Sequence, residues 1–257
     1  MNMKFPKIVR PIAIIVPFIM LSLMWIGFAL QQIGWFESCT GALIPFVPEG
    51  LKGILLSPLL HGSWEHLLSN SLPIGVLLFL LYEFYPELAS KVFFRGWLFT
   101  GALIWLVAPS LFFDSIYTCI IGASGLVYML AFFLFFSGVF RWNVKLLTIS
   151  LLVVLYYGSL IWGMLPEELF SQLQEPSRIS WQAHAAGAIV GVGLAFYYKN
   201  QGEKRKKFIW EFPNYYSERD DLLWQEYIQK HPEDFEELPQ KKQENIWDHL
   251  EEIRKQN

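Results

Sequence analysis

Apolar runs close to the ~20 residues that carry an α-helix across a hydrocarbon core recur through this chain, and they restrict what it can fold into. In lipid every backbone N–H and C=O needs a partner inside the structure, and a helix supplies all of them from its own segment. Six such runs stand at residues 11–30, 66–85, 92–108, 120–138, 146–165 and 181–198. They raise the hydrophobic share of the 257 residues to 54%, more than a water-soluble domain of that length carries. The chain therefore reads as an all-α polytopic membrane protein. Lys4, Lys7 and Arg10 ahead of the first run imitate a secretory signal. That run is long enough to cross, however, and no small-x-small cleavage site follows it, so it is the first span.

Basic residues give the direction of threading. Lys4, Lys7 and Arg10, then Lys91 and Arg95, then Arg141 and Lys145, then Lys199, Lys204, Arg205, Lys206 and Lys207 flank alternate ends of the runs. The other loops hold only Lys52 and Arg178 against Glu37, Glu49, Asp114, Glu167, Glu168 and Glu175. The positive-inside rule then puts both termini in the cytoplasm of a multi-pass protein of the cell membrane. The first loop, residues 31–63, is long and rich in Pro, Gly and aromatics, which predicts a functional segment lying in the bilayer interface. Cys39 and Cys119 are too few for a disulfide framework; both fall near the outer face, where one bridge is allowed but nothing in the sequence fixes their distance. The net charge of -3 is spread over loops and tail, so no basic face for nucleic acid follows. Residues 1–198 form the membrane domain. Residues 199–257 form a charged cytoplasmic tail in which Leu223, Tyr227 and Ile228, and then Ile246, Trp247, Leu250 and Ile253, mark two short amphipathic helices.

Polar side chains inside spans are expensive and face a bundle interior or a watery cavity. Given the threading, the second, fourth and sixth spans all run from outside to inside, so His66, Ser124 and His184 share a shallow level under the outer face. Ser124 is placed about one turn inside its run, and Asn70 stacks one turn below His66. On the sixth span Ala183, Gly187, Gly191 and Ala195 recur every four residues, a flat ridge for close helix packing, with His184 at its crown. If that ridge meets Gly125, the His184 imidazole comes within reach of the Ser124 hydroxyl, with Tyr128 one turn below to support the ring. A serine hydroxyl needs a base to become a nucleophile, and histidine suits that task near neutral pH. The oxyanion formed by attack on a carbonyl needs preplaced donors, which Asn70, a neutral His66 and the Ser124 backbone N–H can supply. No acid stands at the right depth, so a Ser-His dyad is the most the chain supports.

His61-x4-His66-x3-Asn70, Gly122-Ala123-Ser124-Gly125 and Ala183-His184-x2-Gly187-x3-Gly191, in this order and at these depths, resemble the motif set of the rhomboid intramembrane serine proteases. The resemblance covers the six-span core and implies a six-transmembrane-helix bundle that cleaves membrane-protein substrates, single-span or polytopic, near the outer face. It implies Ser124 as nucleophile, His184 as general base and acid, His66 and Asn70 as oxyanion donors, Tyr128 packing on the histidine, and His61 as a structural residue. The Trp-Arg pair that many members carry in the first loop is replaced here by Leu51-Lys52-Gly53-Ile54, a departure in how the loop is braced that leaves the dyad intact. No cofactor is expected. His61, Glu65 and His66 cluster, but H-E-x-x-H is absent and three residues, not two, separate His61 from Glu65, so no metal site is expected either. The alternative is an inactive relative that binds membrane proteins; such relatives typically lack the nucleophile or the base, and this chain keeps both. A small transporter would place its polar groups at mid-membrane, deeper than these.

Overall fold

The computed structural model describes residues 9–35, 39–106, 119–159, 181–202 and 221–235. The chain divides into two compact units, Met1–Arg205 and Lys206–Asn257. The described elements are helical. In the first unit α1 (Pro11–Gln32) opens on a proline at its first position, where a missing N–H leaves no helical bond unmade. The first loop is wound into short turns: a 3-10 turn Pro48–Lys52, α2 (Gly53–Leu56) and a second 3-10 turn Ser57–Leu59. Then come α3 (Trp64–Phe84), α4 (Ala89–Leu106), α5 (Ser124–Arg141), α6 (Val144–Tyr157) and α7 (Trp181–Tyr197). α3 begins where the Ser63 hydroxyl accepts the His66 N–H at 3.2 Å, and it runs on through Pro73.

α5 is the centre of the unit and packs against α3, α4, α6 and α7. Leu126 through Ala131, then Phe133 and Leu134, are all buried, so this helix is covered on nearly every side. The outer helices are two-faced in an inverted sense. α1 buries Ala13, Met20, Met24 and Phe28 while Ile14, Phe18 and Ile26 lie exposed, and α6 exposes Leu155 in the same way. Apolar side chains turned outward on helices of this length belong in lipid. Among the described helices α1, α3 and α5 are long and apolar enough to cross a membrane, which makes this a membrane protein. α4 is interrupted by Lys91 and Arg95, and α7 is rich in Gly and Ala, so both carry less apolar side chain. Residues 107–108 and 160–165 of the third and fifth expected spans lie outside the described residues.

The expected start of the fourth span is corrected. The apolar run begins at Ile120, but the helix begins at Ser124. Ile120 is held extended by an antiparallel bridge to Leu43, with N–H to carbonyl distances of 2.9 Å in both directions. Gly122 then takes a φ of 113°, which a helix does not tolerate and which only glycine adopts without strain. Ser124 is thus the first residue of α5, not a residue one turn inside it. At the other end Trp142 enters the left-handed region, and the Asn143 side chain caps α6 by accepting the Lys145 N–H at 3.0 Å.

In the second unit α8 (Leu222–Lys230) is capped by Asp221, which accepts the Trp224 N–H at 2.9 Å. The Tyr227 hydroxyl donates to the Asp234 carboxylate at 2.9 Å, and that bond and charge push the phenol pKa up. The second expected tail helix lies outside the described residues.

Candidate active site

Two helices meet here without side chains between them. A Cβ added at Gly187 would stand 2.1 Å from the Gly125 carbonyl oxygen, and one at Gly191 would stand 2.4 Å from that of Met129. The ridge expected from Ala183, Gly187, Gly191 and Ala195 is therefore the face that α7 lays on α5, and Ala183, Gly187, Gly191 and Ala195 are all buried there. At this distance dispersion between backbones replaces side-chain interdigitation, the usual means of helix pairing in lipid. His184, buried near the N-terminal end of α7, lies flat on Tyr128, with ring centroids 4.2 Å apart and planes 9° from parallel. Tyr128 is one turn below Ser124 on α5. The seam thus brings His184 against Tyr128, one turn below Ser124.

Ser124 at the head of α5 has a consequence for electrostatics. The first N–H groups of a helix have no carbonyl behind them, and they carry the positive end of its dipole. The Ala123 carbonyl accepts from Leu126 and Val127, at 2.9 and 3.1 Å, so the amides of Ser124 and Gly125 precede the helical ladder. An anion forming beside Ser124 would meet those donors.

α3 supplies the other wall. A Cβ at Gly122 would lie 2.5 Å from Cε1 and 2.6 Å from Nε2 of His66, so the imidazole tip rests on the glycine two residues ahead of Ser124. His61 touches the opposite side of that ring edge-to-face, at 5.1 Å between centroids. Its own ring is buried, and among the described residues neither ring nitrogen has a hydrogen-bond partner. Burial, and then the neighbouring His66, push the His61 pKa down to about 4, which keeps it neutral at neutral pH. Asn70 is buried one turn below His66 and donates one amide N–H to the His66 carbonyl at 2.9 Å. That leaves its second N–H for another acceptor.

The first loop is braced by residues that the motif reading passed over. The backbone of Leu43 and Ile44 lies directly on Gly53 and Gly50, where added Cβ atoms would each come within 2.2 Å of it. From α4 the indole N–H of Trp97 donates to the Ile54 carbonyl at 3.0 Å, and that of Trp105 to the Val47 carbonyl at 3.1 Å. These contacts hold the stretch that carries Leu51-Lys52-Gly53-Ile54. Cys39 and Cys119 are joined by a disulfide with Cα atoms 5.6 Å apart, the bridge that the sequence left open. A hydrogen bond of 2.8 Å from the Gly122 N–H to the Ser57 carbonyl adds a further tie between loop and site. The signal for the two tryptophans was present only as aromatic content.

A family model described as the Rhomboid domain matches residues 48–201. An uncharacterized protein of Mycobacterium bovis is 31% identical over 180 residues, 68% of this chain and 70% of that protein, and an uncharacterized protein of Mycobacterium tuberculosis matches to the same extent. An uncharacterized protein of Mycobacterium leprae is 34% identical over 151 residues, 57% of this chain and 55% of its own length. The matched region runs from the braced first loop through the α5–α7 seam, and on that ground this chain belongs to the rhomboid family.

Proposed function

We propose that the chain is an intramembrane serine endopeptidase that hydrolyses peptide bonds in or beside transmembrane helices of other membrane proteins. The observation that carries this reading is the His184 ring lying flat on Tyr128, one turn below Ser124, across a seam from which Gly125 and Gly187 remove all side-chain bulk. In it His184 takes the Ser124 proton as Oγ attacks the scissile carbonyl, then returns that proton to the leaving amine. The oxyanion is met by the Ser124 backbone N–H, by His66 Nε2–H and by the second N–H of Asn70. Water attacks the acyl-enzyme through the same base. Ser124 is partly exposed at the head of α5, where that water can reach it.

Six crossings with both termini cytoplasmic, residues 1–198 as the protease domain and 199–257 as the tail complete the proposal. The alternation of basic flanks supports the threading. The Cys39–Cys119 bridge supports an extracytoplasmic mouth, because disulfides persist in oxidising compartments. An intact substrate helix hides its carbonyls in hydrogen bonds, so the cut segment must unwind first. Family resemblance adds a small residue before the cut.

The test is a fluorophosphonate that labels activated serines, applied with a panel of single-span substrates. Labelling and cleavage are expected from the parent and lost in Ser124→Ala and His184→Ala. Absence of labelling in the folded parent would overturn this reading and favour the alternative, an inactive relative that binds membrane proteins.

A further inference from the structure

We propose that the Cys39–Cys119 disulfide is a positioning device for the arm that carries Ser124, so that the reaction runs at full rate only once the outer loops have been oxidised. This rests on the reading of Ser124 and His184 given above.

The bridge joins residues 80 apart in sequence and lands at the root of the arm 119–123. Immediately beyond it Ile120 pairs with Leu43, Gly122 donates to Ser57, and Gly122 seats the His66 ring. The partner strand at Ala42–Ile44 is itself fixed, since Gly50 and Gly53 admit its backbone and Trp97 and Trp105 tie the loop to α4. The disulfide therefore connects the serine arm to a platform, not to a free loop. Without it the described arm is held by three backbone hydrogen bonds, each weak on its own where water competes. Gly122 at φ 113° is the point at which a loosened arm has other conformations to visit. Each of them shifts the first amides of α5 and the surface that His66 rests on. The placement of reacting groups suffers, while the bundle core stays as it is.

The redox step balances simply. The two thiols give up two electrons and two protons to a dithiol-disulfide oxidant, through a mixed disulfide, and the oxidant leaves as its dithiol. Dithiothreitol reverses the step, delivering two electrons and two protons and closing to its own cyclic disulfide.

The full-length protein in detergent is assayed oxidised, after dithiothreitol and after reoxidation, beside Cys39→Ser/Cys119→Ser and Ser124→Ala. Thiol state is read by the mass added with a maleimide polymer, and folding by the unfolding midpoint. The expected result is that alkylation requires prior reduction, and that reduction and the double change each lower kcat roughly tenfold with KM unchanged. Reoxidation restores the reduced protein. Alkylation of both cysteines without reductant overturns the proposal, as does a reduced protein that keeps its full rate. So does a rate that falls only in proportion to the folded fraction at the assay temperature. If Ser124→Ala still cleaves, the site reading itself has failed; if Ser124→Ala is dead and the reduced protein is fully active, the positioning device alone has failed.

Discussion

Gly187→Ala puts the α5–α7 seam under the smallest perturbation that it should not survive intact. The added methyl carbon would stand 2.1 Å from the Gly125 carbonyl oxygen, 3.0 Å from its carbon and 3.2 Å from the Met129 nitrogen. All three are backbone atoms of a helix buried on nearly every side, so the neighbour has no side chain to rotate away. Contact distance demands that the helices separate by about 1 Å. Overpacking of that kind costs roughly 1–3 kcal/mol in stability. The larger effect is on rate: a displacement of about 1 Å between reacting groups is enough for a ~100-fold loss. Gly193→Ala is the control, because it lies on the same helix and nothing stands within 4 Å of its added methyl. Cleavage of a single-span substrate, fluorophosphonate labelling and the unfolding midpoint in detergent are measured for both. Gly193→Ala should match the parent or unfold slightly later, since alanine is the better helix former. Parent-level cleavage by Gly187→Ala, with an unmoved midpoint, would show that the helices do not meet at this glycine.

Three further outcomes follow from the same geometry. Gly122→Ala forces a side chain into φ 113° and sets its methyl 2.5 Å from His66 Cε1, so labelling should fall well beyond the roughly 1–3 kcal/mol that backbone strain removes from stability; equal losses in both would count against a role for the His66 seat. Tyr128→Phe keeps the flat ring under His184 and should keep most activity, whereas Tyr128→Leu forfeits a stacked pair worth roughly 0.5–1.5 kcal/mol and should lose up to about tenfold in kcat; the ratio of the two rates is the measurement. The His61 pKa is about 4 in the folded chain against an ordinary 6.5, so between those values the unfolded chain takes up a proton that the folded one refuses. Stability is therefore complete above pH 6.5 and falls toward pH 4, by at most about 3 kcal/mol, and unfolding midpoints measured across that window should be flatter in His61→Gln.

The parts of this fold that a sequence shows are those governed by period. The small-residue ridge on α7 could be read because residues four apart share a helix face, and the same rule places Asn70 under His66 and Tyr128 under Ser124. The head of α5 could not be read that way. Its apolar run continues back to Ile120, and what stops the helix is the φ of Gly122 and a bridge to Leu43, residues far apart in the chain. Trp97 and Trp105 sit in an apolar run, where an indole reads as lipid-facing bulk; their N–H bonds to the first loop exist only once α4 is beside it. The pairing of Cys39 with Cys119 depends on the same long-range arrangement. Asn70, read as an open donor, spends one N–H on the carbonyl of its own helix, a local competition that spacing does not reveal.

The α5–α7 pair is fastened differently at its two ends. At the C-terminal end of both helices Arg141 is buried and donates to the Tyr198 carbonyl at 2.6 Å and the Gln201 carbonyl at 2.8 Å, with its guanidinium 5.4 Å from the centre of the Tyr85 ring. Carbonyls that follow a helix end are electron-rich, and a cation suits them there. At the other end His184 lies flat on the Tyr128 ring, a stacked contact that sets the plane of the imidazole. The pair is thus anchored by charge-assisted bonds at one end, and by ring stacking and glycine contacts at the other. Arg141→Met tests that division. It removes charge-assisted bonds to two carbonyls and should cost about 3 kcal/mol of stability. Labelling of Ser124 per folded molecule should hold, because the glycine contacts at Gly187 and Gly191 still set the seam. Labelling lost at an unchanged unfolding midpoint would mean that the Arg141 anchor, not the seam, sets the position of His184.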